Sequence, residues 1–150
     1  KFIARRLLIS ASEDIGLANP NALLLASATF DAVHKLGMPE ARIPLAEATI
    51  YLATSAKSNS AYSAINAALE RVRQSGNLPV PLHLRNAPTQ LMSELGYAGG
   101  YLYPHDYPGN FAPQQYLPSA LRADIFWRPC QNPSEQKMAD HMERLWQKKR

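Results

Sequence analysis

Cysteine is nearly missing from this chain. Cys130 is the only one in 150 residues, so no intrachain disulfide can form, and a reducing, cytoplasmic compartment is expected. Charge is scarce as well, at 19% against the roughly 25% usual in soluble domains. No apolar run approaches the length of about 18 residues that a membrane-spanning helix needs. No Gly-x-x-x-x-Gly-Lys-Ser/Thr loop is present, which leaves the chain without a phosphate-cradling ATP site. Cations are thin where they would matter most. Six of the sixteen basic residues are Lys1, Arg5, Arg6, Lys148, Lys149 and Arg150 at the two ends, and residues 7–147 carry a net charge of −2. A nucleic-acid groove needs cations clustered along one face. Lys148, Lys149 and Arg150 are the candidates for DNA contact. The chain opens within an apparent helix at Lys1-Phe2-Ile3, with neither an initiator methionine nor a secretory pattern, as expected of a piece of a larger protein.

What is present is a helical chain with enough apolar side chains, 46%, to build a core. The pattern predicts one mainly α domain over 1–150, with a helical half over about 1–76, a loop-rich part over about 77–131 and a final helix over about 133–149. Ala4, Leu7, Leu8 and Ala11 repeat at helical spacing, and Gly16 closes that segment. Asn19-Pro20 is an N-cap followed by a first-position proline. The next helix carries Leu23, Ala26, Phe30 and Val33, with Leu24 and Leu25 widening its apolar face, so it is expected to lie buried between other elements. A third helix starts near Pro44 and marks its face with Leu45, Ala48 and Leu52. Ser58 caps a fourth, in which Tyr62, Ile65, Leu69 and Val72 recur at three and four, while Ala61, Ala64 and Ala68 let a neighbour approach closely.

Composition then shifts. Nine of the twelve prolines lie within 79–133, and five of the seven tyrosines lie between Tyr97 and Tyr116. This region is expected to be an ordered loop packed down by its tyrosines, with one short helix over about Pro88 to Leu95 and a hairpin near Tyr116 to Trp127. Asn132-Pro133-Ser134-Glu135 sets an N-cap, a proline and a reciprocal glutamate, the pattern of a capping box.

Several short segments mix polar and aromatic residues in ways that invite a chemical reading. Lys57-Ser58-Asn59-Ser60 at a helix start can attract an anion, but without glycines it reads better as a cap. Glu13 and Asp14 are adjacent carboxylates, read as an ion pair or turn at the exit of the first helix, with Arg85 as candidate partner. His105-Asp106 suggests an HD-type metal hydrolase with His34 or His83 and Asp124 or Asp140. Such enzymes carry the pair on a helix, whereas Pro104, Pro108 and Gly109 break one here. The simpler reading is a turn at Asp106, with His105 among tyrosines. The tyrosines lack the interleaved cations of a base-stacking platform, because no Lys or Arg lies between Arg85 and Arg122.

Four of these stretches carry a resemblance: Ser12-Glu13-Asp14-Ile15-Gly16, Ala56-Lys57-Ser58-Asn59-Ser60-Ala61-Tyr62, His83-Leu84-Arg85-Asn86-Ala87-Pro88-Thr89, and Gly100-Tyr101-Leu102-Tyr103-Pro104-His105-Asp106. With Leu36 through Leu45 and Leu91 through Tyr97, they resemble the C-terminal region of the RarA/MgsA family of clamp-loader-like AAA+ ATPases, which includes the Werner-helicase-interacting ATPase. The chain departs from the family pattern at Ala56, where proline is usual, and at Pro133-Ser134, where a glycine usually precedes the glutamate. The resemblance implies a helical, clamp-loader-collar-like domain that assembles subunits into a homotetramer, with no catalysis, metal or cofactor of its own. It also implies that ATP and magnesium belong to an AAA+ module upstream. The whole ATPase would act in replication and recombination at stalled forks, at nucleoid sites, in contact with DNA and single-stranded-DNA-binding protein. Leu23, Leu24, Ala61, Ala64 and Ala68 are the candidate interface. Two other functions stay open beside this one: a DNA- or partner-binding module resting on the basic ends, and a metal hydrolase resting on His105-Asp106.

Overall fold

The computed structural model describes residues 1–147. These residues form six α-helices joined by short 3₁₀ and π turns, with no strand among them. The chain divides into two compact units. Among the described residues the first holds Lys1–Leu69 and Phe126–His141, and the second holds Glu70–Ile125 and 142–147.

In the first unit, α1 (Phe2–Ser10), α2 (Asn21–Leu36) and α3 (Arg42–Thr54) pack on one another. Their shared core is Ala11, Ile15, Ala22, Ala26 and Leu52, with Leu7, Leu8 and Tyr51 against it. Ala4, Ala41 and Ala48 are buried as well. Alanine at so many contacts lets helix axes approach towards the short end of the usual ~8–10 Å spacing. α1 does not stop at Ala11. It continues as a π-helical turn over Ala11–Ile15 before Gly16 turns the chain at φ +46°. α3 begins two residues before Pro44, which thereby sits in the first turn, where its missing N–H costs nothing.

Two expectations for this unit are corrected. Asn19 does not cap α2 with its side chain, because its Nδ2 donates to the Tyr51 hydroxyl at 3.0 Å and to the Ser55 hydroxyl at 3.3 Å. The amide ties the α1–α2 connection to the end of α3 instead. Nor is α2 apolar and covered all round. Ala22, Ala26 and Thr29 face inward, whereas Leu23 and Leu24 are 45% and 68% exposed. Close alanine contacts satisfy one face, and no element of this unit covers the other.

The helix α4 (Ser60–Ser75) follows. Ser60 is buried and Ala64, Ala68 and Arg71 are half-buried, while Tyr62, Ile65, Leu69 and Val72 are all exposed. The small side of the helix faces in and the large apolar side faces out.

The second unit contains α5 (Gln90–Glu94), capped by the Thr89 hydroxyl, which accepts from the Met92 N–H at 3.3 Å. The expected hairpin at 116–127 does not form. Pro118 leads into a 3₁₀ turn over Ser119–Leu121, and prolines without N–H groups cannot sustain a ladder. Order comes from polar side chains that bond to backbone. Buried Gln114 accepts the Leu102 N–H at 3.1 Å, and its amide donates to the Leu102 carbonyl at 2.7 Å and to the Tyr116 hydroxyl at 3.2 Å. His83 Nε2 bonds the Gln115 carbonyl at 2.7 Å. Arg71 and Asp124 form an ion pair at 2.7 Å. Tyrosine packing contributes less than expected, since Tyr101, Tyr103 and Tyr116 are all exposed. The final helix α6 (Pro133–Gln147) ends at the limit of the described residues. Lys148, Lys149 and Arg150, the candidate DNA contacts, lie outside them.

Candidate functional site: a buried carboxylate hub

Three of the segments singled out in the sequence converge within the first unit. Glu135 sits at the third position of α6, is fully buried, and has no cation beside it. Its Oε1 accepts from the Asn132 side-chain amide at 2.9 Å, and its Oε2 accepts from the Cys130 N–H at 2.9 Å. Asn132 Oδ1 in turn accepts the Glu135 N–H at 2.9 Å. This is a capping box with one change: the glutamate reaches the N-cap side chain and the backbone two residues further back, in place of the N-cap N–H.

The hydroxyls of Ser58 and Ser60 also donate to this carboxylate. Ser60 Oγ accepts from Trp127 Nε1 at 3.1 Å, and Ser58 Oγ caps the start of α4 by accepting the Ser60 N–H at 3.2 Å. Ser58 is also fixed from behind, because its N–H donates to the Asp14 carbonyl at 2.8 Å. There Gly16 is required twice over: its φ is +46°, and a Cβ would lie 2.8 Å from the Ser58 carbonyl oxygen. The exit of α1, the start of α4, Trp127 and the start of α6 are thus joined through one carboxylate. Burial works to raise the pKa of Glu135, but the bonds from Ser58, Ser60, Asn132 and the Cys130 N–H outweigh it and hold the group below its ordinary value.

This arrangement limits the chemistry open to the Lys57-Ser58-Asn59-Ser60 segment. The serine hydroxyls already donate to an anion that belongs to the chain, and Glu135 also complements the positive ends of α4 and α6. A shallow cavity of about 280 Å³, lined by Asp14, Lys57, Ser58, Asn59 and Cys130, lies at the same place. The carboxylate beside the serine hydroxyls is itself fully buried, with both oxygens engaged by the Cys130 N–H and the Asn132 amide, so the hub is built to hold backbone in place.

The remaining candidate residues are dispersed. Glu13 is exposed, and the Asp14 carboxylate accepts from the Ser10 hydroxyl at 2.7 Å. The suggested pairing of these carboxylates with Arg85 is therefore corrected. Arg85 donates to the Val80 carbonyl at 2.6 Å and the Tyr97 hydroxyl at 3.1 Å, with its guanidinium over the Tyr97 ring at 5.1 Å. Asn59 is exposed, and its backbone carbonyl accepts from the Ser63 N–H. His105 and Asp106 lie on a single 3₁₀ turn, with the Asp106 N–H on the Tyr103 carbonyl and the His105 ring 5.1 Å from that of Tyr103. Among the described residues no three His, Cys, Asp or Glu side chains sit together as a metal site. Sequence reasoning read Glu135 as a local cap and missed its burial. Trp127 was missed altogether, although a tryptophan N–H within a proline-rich connection commonly seeks a buried acceptor.

The unit is thus all-helical and fastened by one buried structural carboxylate. Residues 1–146 match the family described as MgsA AAA+ ATPase C terminal. The chain is 43% identical over 143 residues to Replication-associated recombination protein A of Coxiella burnetii, covering 95% of this chain and 32% of that protein. Its Bacillus subtilis counterpart of the same name is 46% identical over 129 residues, covering 86% and 31%. ATPase WRNIP1 of Dictyostelium discoideum is 42% identical over 127 residues, covering 84% and 14%. The chain belongs to the C-terminal family of RarA/MgsA-type AAA+ ATPases. It spans about a third or less of the length of these relatives. No described helix is long and apolar enough to cross a membrane.

Proposed function

We propose that this chain is the self-association region of a replication- and recombination-associated AAA+ ATPase, gathering its subunits into a homotetramer. ATP and magnesium bind in the ATPase module of that larger protein. Action at stalled forks, contact with DNA and single-stranded-DNA-binding protein, and residence at nucleoid replication sites are likewise properties of the whole ATPase. The names carried by the relatives support the replication and recombination setting.

The observation that carries the assembly reading is exposed apolar surface, with Ile43, Ile50 and Ile65 each more than half exposed, since large apolar patches left open mark interaction sites. Two different patches, each closed by a symmetry axis, suffice for a tetramer.

Light scattering or sedimentation at tens of micromolar tests this. The expected mass is about four times the 16.6 kDa of one chain, and it holds as salt is raised. A single species of one-chain mass overturns the reading.

A further inference from the structure

The outward face of α4 has a shape that selects its occupant. Tyr62, Ile65, Leu69 and Val72 are 49%, 56%, 47% and 51% exposed. At about 100° per residue they span a stripe roughly 80° wide and some 15 Å long. Ala61 and Ala68 border it on one flank, and Asn66 and Arg73 on the other. From Ser60 to Leu69 the helix carries no Asp, Glu, Lys, Arg or His. Large residues alternating with alanine form both knobs and the shallow holes that receive them.

We infer that this stripe is the contact between two copies of the chain, packed against itself antiparallel about a twofold axis near Ile65. This rests on the self-association proposed above and specifies its surface. Three observations favour a second copy over a short peptide. The stripe is self-complementary in size, because a twofold near Ile65 sets Tyr62 of one copy beside Leu69 of the other. Antiparallel pairing also places the α4 start, with Lys57 just before it, beside the negative carboxyl end of its partner. Finally, half-exposed side chains of this size hold on the order of 400 Å² per copy. Covering that area on both copies, with the flanking alanines, reaches the ~1,000 Å² total that a specific contact needs.

The same patch is not available from the inward side of α4, where Ala64 and Ala68 are half-buried. Leu23 and Leu24 on α2 offer only two large side chains.

The test compares mass in solution for the whole chain and three variants. Ile65→Arg with Leu69→Arg is expected to lower the assembly to half its mass or less, while far-UV circular dichroism stays unchanged. Leu24→Arg is expected to leave the mass as it is. In a Cys130→Ser background, Ile65→Cys should oxidise to a disulfide-linked pair, and this variant decides the matter if the double arginine variant fails to fold. Should the wild-type chain assemble while the arginine variant keeps its full mass, or Ile65→Cys stay uncrosslinked, the α4 contact is wrong and self-association stands. A monomeric wild type removes self-association itself, and the α4 contact with it.

Discussion

In the first unit three helices close on buried alanines at positions 22, 26 and 48, whereas in the second a proline-rich chain is held by side chains that bond to backbone. The difference follows from what each stretch of sequence has available. Regular helices satisfy their own N–H and C=O groups, so their side chains are free to pack. A chain interrupted by proline after proline cannot do this, and buried backbone groups must find partners elsewhere. Gln114 is the clearest case, since its one amide serves both the N–H and the C=O of Leu102. The hub at Glu135 shows the same device at work inside the helical unit, at the point where helix starts and connections meet.

If that contrast is right, the largest effect of a single change falls on the hub. Glu135→Ala strips the acceptor from two hydroxyls, an amide and a backbone N–H, and should cost about 3–4 kcal/mol in a urea titration. Glu135→Gln should cost less and alter the pH response. The folded-state pKa is lowered, so the unfolded chain takes up the proton first as pH falls. The contribution of the group is therefore complete above the ordinary carboxylate value of about 4.3 and fades as pH drops from there towards the folded value. The gap between wild type and Glu135→Gln should narrow over that window. A gap that is constant with pH would show that the group does not act as a carboxylate.

Gly16→Ala comes next, at about 2–3 kcal/mol, because both its positive φ and the Ser58 carbonyl at 2.8 Å oppose a side chain. In the second unit Gln114→Ala should cost about 2 kcal/mol, measured in the same titration. An effect near zero would mean that the polar clamp does not hold that loop. Arg71→Ala should be the mildest, about 0.5–1 kcal/mol, since its pairing with Asp124 is about a third exposed and open to screening by salt.

The parts legible in the sequence were those governed by period and by local caps. Ala4, Leu7, Leu8 and Ala11 of α1, Ser58 as the start of α4, and Asn132 with Glu135 at α6 could all be read because each signal lies within one turn of what it controls. The family resemblance was equally readable, being carried by short polar and aromatic segments. The direction in which α4 faces was not. Its stripe repeats at helical spacing whether it packs on its own chain or on another, and periodicity reports only that a face is apolar. The loop of the second unit was opaque for a different reason. Gln114 meets Leu102 across a dozen residues through hydrogen bonds that have no period, and the same glutamine on a surface would look no different in the sequence.

Cys130 shows what the hub implies for motion over time. It lies in the connection before α6, outside any helix, where an amide ordinarily trades its hydrogen with solvent almost at once. Here that amide points at the Glu135 carboxylate, 2.9 Å away. Its hydrogen can leave only when the start of α6 lets go, so its exchange should keep pace with helix interiors and lag far behind the neighbouring chain. The thiol on the same residue is the only one in the molecule. A label placed there would time the opening of the hub with no second site to confuse the signal.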